Sequence, residues 1–239
     1  MIFRGGAKSF ALGFFVIAVV TTLVSSRPHG ASYRLMTYNI RSGNSMANVL
    51  NISGQAAEIS LMHPDVVTLQ EVDNFTQRHP IDEVAYLSRH TGLKYTAFAP
   101  WRPFEGGQYG IAILSRHPIL EVKTHGYVKP TKTGGFNPRE AQNCALQQPM
   151  DFCQGILAIR VAPTMFPNGI WIINTHISAD GAQAEEARQL VEWVTKLLQM
   201  SDIKHAMIAG DFNEPPTGQG PSYIKQFWHD TFVQCYYNP

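Results

Sequence analysis

The stretch that most constrains the fold is a short apolar run that breaks abruptly into polar side chains. Residues Ala206 to Ala209 are followed by Gly210 and, shortly after, by two prolines, which predicts a buried strand ending in a tight turn. Asp211 and Asn213 lie two positions apart, so their side chains point the same way if the extended geometry persists. Two interpretations are open at this stage. The pair either forms an ordinary turn bonded to its own backbone or belongs to a functional site.

Other predicted strands also end in polar residues. Tyr33 to Ile40 alternates apolar with polar side chains and contains Asn39 near its end. Val66 to Glu71 is a short apolar strand that runs into a carboxylate. Gly169 to Asn174 is a further strand, with His176 just beyond it. All three have the β-rich composition and flanking turn residues that are typical of strands.

An amphipathic helix separates the first two of these strands. Apolar residues recur there at intervals of three and four, namely at Val49, Ile52, Ala56 and Ile59. This pattern predicts a helix that stops before Pro64. A strand, a helix and a strand in this order place the C-terminal ends of both strands at one sheet edge if the strands are parallel neighbours. We therefore expect Asn39 and Glu71 to meet.

The rest of the chain continues with helices and strands. Helices are predicted from Pro80 to Gly92 and along the apolar stripe from Ala184 to Leu198. Further strands are predicted over Tyr95 to Phe98, Tyr109 to Ser115, Pro118 to Val122 as the continuation of a meander, and Gly155 to Val161. From Lys129 to Pro149 the composition turns to Gly, Pro, Asn and Gln, which predicts a long surface loop.

The N-terminal residues have the layout of an export leader. Arg4 and Lys8 precede an apolar run from Phe10 to Val24, and Ser26 follows as a small residue suited to cleavage. The run has about fifteen residues, fewer than the roughly twenty that span a bilayer. We predict that residues 1–26 are a signal peptide, with a signal anchor over residues 10–24 as the alternative. The protein would accordingly be secreted, extracellular or periplasmic, or else anchored to the membrane.

Charge and cysteine usage narrow the function further. The net charge of +1 lacks the basic footprint of a dedicated nucleic-acid binder and argues against duplex DNA as the chief substrate. Of the three cysteines, Cys144 and Cys153 can close a short loop in an oxidising compartment, which leaves Cys235 without a partner.

If these polar strand ends lie at one edge of a mixed sheet, they form a site with two carboxylates, an imidazole and carboxamides. Glu71 and Asp211 supply carboxylates, His176 supplies an imidazole, and Asn39 and Asn213 supply carboxamides. Oxygen ligands of this kind suit Mg²⁺ or Mn²⁺, which keep open positions for phosphate oxygens. A site dominated by His and Cys would have indicated zinc instead.

Short motifs with matching flanks follow one another along the chain: Thr37 to Ile40, Gln70 to Val72, Tyr109 to Arg116, Asn174 to His176 and Gly210 to Asn213. In this order they resemble the endonuclease/exonuclease/phosphatase superfamily of DNase I-like, metal-dependent phosphohydrolases, from Tyr33 to about Thr231. The resemblance implies an α/β fold, a four-layer α/β/β/α sandwich of two mixed sheets, over residues 33–239.

The resemblance also implies a role for each candidate residue. Glu71 would be the main metal ligand, and Asn39 would orient the metal or the phosphate or, alternatively, hold Glu71 by a hydrogen bond. Asp211 would position or activate the attacking water. Asn213 would donate to a phosphoryl oxygen, and His176 would contact the scissile phosphate and supply a proton. Further phosphate contacts are expected from Tyr109, whose alternative is a packed aromatic, and from Arg139, Asn174 and Arg41.

Relatives of this kind usually continue past the Gly210 to Asn213 turn to a terminal Ser-Asp-His, which this sequence does not contain. We therefore expect a domain that is incomplete at its C-terminus. The function predicted is an exported, divalent-metal-dependent hydrolase of phosphate esters, a phosphodiesterase or phosphatase that includes nuclease and sphingomyelinase-like activities. The alternative is an inactive or truncated relative acting as a binding module. The expected partner is a phosphate ester (nucleic acid, phospholipid head group or small ester), no protein partner is implied, and the chain is expected to be a monomer.

Overall fold

The computed structural model of the chain describes residues 33–128 and 154–231, together with the backbone of residues 19–22. The strands are β1 Val19–Thr22, β2 Tyr33–Asn39, β3 Val66–Asn74, β4 Tyr95–Phe104, β5 Gly107–Ser115, β6 Glu121–Gly126, β7 Gly155–Val161, β8 Ile170–His176 and β9 Ala206–Asp211. The helices are α1 Ile52–Met62, α2 Glu83–Thr91, α3 Gln183–Met200 and α4 Gln219–Ile224.

The strands form two mixed sheets. The first has the order β1-β2-β3-β5-β4 and the second the order β6-β7-β8-β9. In the first sheet β2 and β3 are parallel, and in the second β8 and β9 are parallel. All other neighbours are antiparallel. The predicted strand–helix–strand unit is thus confirmed, since α1 connects the parallel pair β2 and β3.

Three apolar clusters separate four layers. The cluster between the sheets contains Leu35 and Ile111 from one sheet and Ile172 from the other. A second cluster packs α1 and α2 on the outer face of the first sheet, and a third packs α3 and α4 on the outer face of the second. Because both faces of each sheet are covered, inner strands contain runs in which successive residues are all apolar, such as residues 170–173 of β8. The four-layer α/β/β/α sandwich predicted by resemblance is therefore confirmed.

The helix boundaries follow from local capping. The side chain of Asn51 accepts a hydrogen bond from the Gly54 amide at 3.2 Å and starts α1, and His63 ends it in a left-handed conformation just before Pro64. Asp82 caps α2 by accepting from the Ala85 amide at 2.9 Å. The predicted helix bounds were too wide, because Val49 lies ahead of α1 and is exposed.

The strand predicted at Pro118 belongs to a different sheet from the one expected. It does not continue the meander of β4 and β5, because β6 begins only at Glu121 and pairs with β7 in the second sheet. Pro118 has no amide hydrogen to give to a ladder, and the first hydrogen bond to the new partner comes from Leu120 N to Arg160 O at 2.8 Å. The chain thus crosses between the sheets in residues 116–120.

Gly110 allows β4 and β5 to approach closely where β4 is irregular. A Cβ atom at this position would lie 2.0 Å from the carbonyl oxygen of Ala99, and the register of β4 shifts between Pro100 and Arg102. Glycine is therefore needed at this position because the backbone of β4 lies too close for a side chain, a common reason for glycine within a strand.

Several sequence predictions concern residues beyond these ranges. Val19–Thr22, within the predicted leader, pairs antiparallel with β2, and the leader itself stays a prediction. The cysteines, Arg139 and the predicted loop up to Pro149 lie outside the described residues. Within the described ranges, the structure has no helix of the length and hydrophobicity needed to cross a bilayer.

Candidate active site

The two parallel strand pairs, β2 with β3 and β8 with β9, bring polar residues to one edge of the sandwich. Asn39 at the end of β2 lies beside Gln70 of β3, and His176 at the end of β8 lies beside Asp211 of β9. Because the two sheets pack face to face, both pairs of strand ends open toward the same place. The predicted convergence of polar strand ends is confirmed.

Asn39 joins the two halves of this site. Its Nδ2 donates to Glu71 Oε1 at 2.8 Å and to Asp211 Oδ2 at 2.9 Å, while its Oδ1 accepts from the Arg41 amide at 3.0 Å. The expected meeting of Asn39 with Glu71 is therefore observed, and the carboxylate of the other sheet joins them. This geometry corresponds to the alternative predicted for Asn39, in which its side chain holds Glu71 by a hydrogen bond.

Glu71 does not end its strand, as expected from the sequence, but sits in a bulge within it. Its φ is 56°, and the register against β5 shifts between Leu69 and Val72. A bulge re-aims a side chain out of the regular pleat, and positive φ in a non-glycine residue stores roughly 1–3 kcal/mol of strain. The half-buried carboxylate of Glu71 is thereby turned toward Asn39 at the sheet edge.

The Asp211 and Asn213 pair satisfies both interpretations offered by the sequence. Asp211 Oδ1 accepts from the Asn213 amide at 2.9 Å, which is the local turn bond. Its other oxygen, Oδ2, faces Asn39. Asn213 adopts a left-handed conformation with φ of 48°, as turn asparagines do. One oxygen of the same carboxylate therefore fixes the turn while the other belongs to the site.

His176 lies beneath this turn as a neutral imidazole. The residue is 5% exposed, and burial lowers the pKa of its ring, against the opposing effect of Asp211 and Glu71. Asn213 Nδ2 donates to His176 Nε2 at 3.1 Å and to the Ile177 carbonyl at 2.8 Å. Because an amide nitrogen only donates, Nε2 accepts and the ring proton is on Nδ1. Nε2, 4.0 Å from Asp211 Oδ2, is thus a proton acceptor in this state.

Tyr109 lies on β5, close to the Glu71 bulge. Val72, which follows Glu71, pairs with Gly110, and Asp73 pairs with Tyr109 itself. Burial, reinforced by the charge of Glu71, raises the pKa of the Tyr109 hydroxyl above its ordinary value. The hydroxyl therefore keeps its proton near neutral pH and is available as a hydrogen-bond donor next to Glu71.

The structure disagrees with the predicted phosphate contact of Asn174. This residue is fully buried, and its Nδ2 donates to the carbonyls of Leu69 at 2.9 Å and Ala112 at 2.8 Å. Its Oδ1 accepts from Gln70 Nε2 at 2.7 Å. The carboxamide bridges the two sheets below the site because the bulge in β3 leaves those carbonyls for it to bind.

The two candidate arginines are placed differently. The guanidinium of Arg41 is turned to its own loop, where Nη2 donates to Asn48 Oδ1 at 2.7 Å and Nη1 to the Ser45 carbonyl at 3.4 Å. Only its backbone amide reaches Asn39. Arg139 lies outside the described residues, so its phosphate contact stays a prediction.

An ion pair near the site, between the buried Asp73 and the partly exposed Arg78, is not predicted by the sequence analysis. Asp73 is fully buried and accepts from Arg78 Nε at 2.6 Å and Nη2 at 2.8 Å, and from the Thr76 hydroxyl at 2.7 Å. Arg78 Nη2 also donates to Ser42 Oγ at 2.5 Å, which ties the loop after β2 to the end of β3. The signal in the sequence is Asp73, two positions after Glu71, which a strand predicted to end at Glu71 leaves outside the site although β3 contains it.

Glu83 of α2 binds the backbone of Asp73 and forms a hydrogen-bonded pair with His79. Glu83 is fully buried, accepts from the Asp73 amide through Oε2 at 2.7 Å and lies 2.5 Å from His79 Nδ1 through Oε1. Burial raises the pKa of Glu83 to about 8 and lowers that of His79. At neutral pH the two therefore share a hydrogen bond between uncharged groups rather than an ion pair.

The donor set fits a hard divalent cation. Residues 33–128 and 154–231 contain no cluster of three or more His, Cys, Asp or Glu side chains that could hold a metal alone. Glu71 and Asp211, however, present carboxylate oxygens on either side of the Asn39 amide. Mg²⁺ is commonly held by only one or two carboxylates, with water and substrate phosphate completing its shell.

Comparisons with known proteins agree with this fold. Residues 36–231 match the Endonuclease/Exonuclease/phosphatase family. The fold is similar to that of an endonuclease/exonuclease/phosphatase from Beutenbergia cavernae DSM 12333 (TM-score 0.54, 24% identity, covering 77% of this chain and 48% of that chain). It is also similar to an endonuclease/exonuclease/phosphatase from Bacteroides vulgatus (TM-score 0.58, 16% identity, covering 81% of this chain and 70% of that chain). A third similar structure is the mannosyl-6-phosphatase of Bacteroides thetaiotaomicron VPI-5482 (TM-score 0.56, 15% identity, covering 80% of this chain and 69% of that chain). The chain thus spans about half the length of the Beutenbergia protein. No curated protein sequence matches it significantly.

Proposed function

Since this chain belongs to the endonuclease/exonuclease/phosphatase family, whose members hydrolyse phosphoesters, we propose that it is an exported, divalent-metal-dependent hydrolase of phosphate esters. The observation that carries the proposal is the Asn39 amide placed between the Glu71 and Asp211 carboxylates, one from each sheet. Two carboxylates drawn to one point repel each other, which favours a cation beside them. Phosphodiesterase and phosphatase activities both fit this arrangement.

Glu71 would hold Mg²⁺ or Mn²⁺, with Asn39 keeping its carboxylate in place. The bound cation supplies positive charge to a phosphoryl oxygen. Asp211, whose Oδ1 is fixed by the turn, has Oδ2 at the site to orient the attacking water and take its proton. The protonated hydroxyl of Tyr109 donates a hydrogen bond where negative charge develops on the phosphoryl group. The donation predicted for Asn213 would require it to give up one of its present bonds, because its two Nδ2 hydrogens go to His176 and the Ile177 carbonyl.

His176 contributes an uncharged imidazole to the same space. Its Nε2 accepts from Asn213 and lies 4.0 Å from Asp211 Oδ2. Once Nε2 releases the Asn213 hydrogen bond, it can take over the proton that Asp211 removes from the water and give it to a leaving oxygen. This cycle requires the ring to start neutral, in agreement with the effect of burial on its pKa. The role fits the proton transfer proposed for His176.

The direct test is release of nitrophenol from bis(p-nitrophenyl) phosphate by the purified chain, with Mg²⁺ and with a chelator. Glu71→Ala is expected to abolish metal-dependent turnover, whereas Glu192→Ala, an exposed carboxylate on α3, should leave it unchanged. Turnover that persists in the chelator or in Glu71→Ala would refute the proposal. Mg²⁺-dependent binding of phosphate without turnover would favour the alternative, a binding module.

Export and substrate choice need separate measurements. Export is proposed on the leader over residues 1–26, and N-terminal sequencing of protein recovered outside the cells would start after Ser26 if the leader is cleaved. A panel of plasmid DNA, RNA, sphingomyelin and inositol phosphates distinguishes nuclease, sphingomyelinase-like and small-ester activities. Gel filtration tests the proposed monomer.

A further inference from the structure

The bulge at Glu71 depends on contacts that fix its backbone. A non-glycine residue with φ of 56° keeps this conformation only where the surrounding structure holds it. The Glu71 carbonyl accepts a hydrogen bond from the Ser42 amide at 2.8 Å. Ser42 is itself left-handed, with φ of 53°, and is 2% exposed. One backbone hydrogen bond therefore joins two residues in unfavourable conformations, one in the loop after β2 and one in β3.

The guanidinium of Arg78 binds the chain on both sides of this contact. Its Nη2 donates to Ser42 Oγ at 2.5 Å and to Asp73 Oδ1 at 2.8 Å, and its Nε donates to Asp73 Oδ2 at 2.6 Å. Ser42 holds the Glu71 carbonyl, whereas Asp73 follows Glu71 by two positions in β3. A single side chain thus spans the bulge that aims the candidate metal ligand.

Arg78 is itself fixed by the hairpin of β4 and β5. Its guanidinium carbon lies 4.5 Å from the ring centroid of Phe104, and its amide donates to Glu105 Oε2 at 3.0 Å. The amide of the preceding residue, Gln77, donates to the Glu105 carbonyl at 2.8 Å. Stacking on a ring restricts the motion of a guanidinium group, and the two backbone bonds hold residues 77 and 78 against the turn. Arg78 therefore connects this turn, the loop after β2 and the bulge.

These contacts use the shape of the guanidinium group as well as its charge. Nε and Nη2 bind the two oxygens of Asp73 side by side, and Nη2 also reaches Ser42. A planar fork suits such paired hydrogen bonds to a carboxylate. The ammonium group of lysine is a point charge on a flexible stem and cannot hold all three oxygens in the same way.

We propose that Arg78 is a positioning residue, which sets the direction of the Glu71 carboxylate through Ser42 and Asp73. This inference rests on the proposed function, in which that carboxylate holds the divalent cation. Arg78 touches neither the cation nor the substrate in this role. Residues that hold a metal ligand from behind commonly change metal affinity about 10- to 100-fold when they are replaced.

Calorimetric titration with Mn²⁺ tests this role directly. Arg78→Ala is expected to raise the dissociation constant of Mn²⁺ about 10- to 100-fold. Saturating Mn²⁺ should then restore most of kcat toward bis(p-nitrophenyl) phosphate, because Glu71 itself is still present. Arg78→Lys keeps the charge without the fork and should recover only part of the affinity.

Two further variants separate positioning from general stabilisation. Arg116→Ala is the matched control, because Arg116 pairs with Asp65 at 3.4 Å at the other end of β3, and it should keep the wild-type affinity for Mn²⁺. Ser42→Ala removes only the hydroxyl and should also weaken Mn²⁺ binding, so it tests the proposal even if Arg78→Ala does not fold. Wild-type affinity in every folded variant of Arg78 and Ser42 overturns the proposal, and a lower urea midpoint in those variants would then show a purely structural role.

Hydrogen exchange in the metal-free chain separates this proposal from the hydrolase proposal. The Ser42 amide, which donates to Glu71, should exchange about 10- to 100-fold faster in Arg78→Ala, the range for a hydrogen bond to a charged group. The Arg34 amide, which donates to Asp65 Oδ2 at 2.8 Å, should keep its wild-type rate. Faster exchange at Ser42 in a chain that binds no Mn²⁺ supports the positioning and refutes the metal-dependent hydrolase. Unchanged exchange together with metal-dependent turnover overturns the positioning and leaves the hydrolase standing.

Discussion

Replacing Asn174 by leucine tests how much the bridge between the two sheets stabilises the fold. The fully buried carboxamide makes three hydrogen bonds, to the carbonyls of Leu69 and Ala112 and from Gln70 Nε2. Leucine has the same number of side-chain heavy atoms but no polar ones. The substitution therefore fills the site while taking the Asn174 partner from two carbonyl oxygens and from one N–H of Gln70, whose other N–H still donates to Thr37 Oγ1 at 3.2 Å.

The magnitude follows from those groups. Each buried donor or acceptor left without a partner costs about 2 kcal/mol, or about 6 kcal/mol for all three. The two additional buried methyl groups return about 1.6 kcal/mol. We therefore expect Asn174→Leu to lower the free energy of unfolding by about 4 kcal/mol, well above the roughly 1 kcal/mol of an average substitution.

Urea unfolding followed by tryptophan fluorescence measures this loss. With an m-value of about 3 kcal/mol per molar urea, the midpoint should fall by about 1.3 M. Asn168→Leu is the matched control, because Asn168 is exposed in the turn before β8, and it should change the free energy by no more than about 0.5 kcal/mol. If both variants unfold at the wild-type midpoint, the reasoning about the bridge is refuted.

Three other expectations concern backbone contact and proton binding. Gly110→Ala should lower the free energy of unfolding by more than about 2 kcal/mol, because its Cβ would lie 2.0 Å from the Ala99 carbonyl; an unchanged thermal midpoint would contradict this. Burial raises the pKa of Glu83 to about 8, so above its ordinary value of 4.5 the folded chain keeps a proton that the unfolded chain has lost, and stability falls as pH rises toward 8. The lowered pKa of His79 has the opposite effect on stability, but only below its ordinary value of 6.5. Glu83→Gln should therefore flatten the decline of the urea midpoint between pH 6.5 and 8. An unaltered slope would contradict a buried, protonated Glu83. In the metal-free chain, NMR of the ring carbons should show His176 titrating below 6.5 because burial lowers its pKa, whereas titration at or above that pH would rule out the neutral ring.

Strand ends were the part of the site that the sequence could predict. Apolar runs that stop at polar residues are local features, and the C-terminal ends of parallel neighbours point to the same edge of a sheet. The meeting of Asn39 with Glu71 followed from this argument, as did the placement of Asp211 and His176. The layered fold came from the resemblance of the motifs, and the three apolar clusters of the structure agree with it.

The remaining features depend on contacts that no local pattern encodes. The bulge at Glu71 arises from the register of β3 against β5, and register is a property of two strands. Asn174 has the polarity of a ligand, but only the position of the opposite sheet shows that its carboxamide binds carbonyls. The sheet to which β6 belongs depends likewise on its partner β7. Arg78 was missed because its ion pair with Asp73 requires a folded loop between them.

The hydrogen bond from Asn39 to Asp211 has a consequence for how the proposed activity would appear during folding. It joins residues 172 positions apart, whereas Asn39 and Glu71 can already meet within the first sheet. Contacts between such distant parts of a chain close slowly, because the loop entropy is lost before the contact forms. An intermediate with both sheets formed but not yet docked would therefore show strand and helix signals without turnover. The recovery of hydrolysis during refolding would time the docking of the sheets, a step that circular dichroism does not resolve.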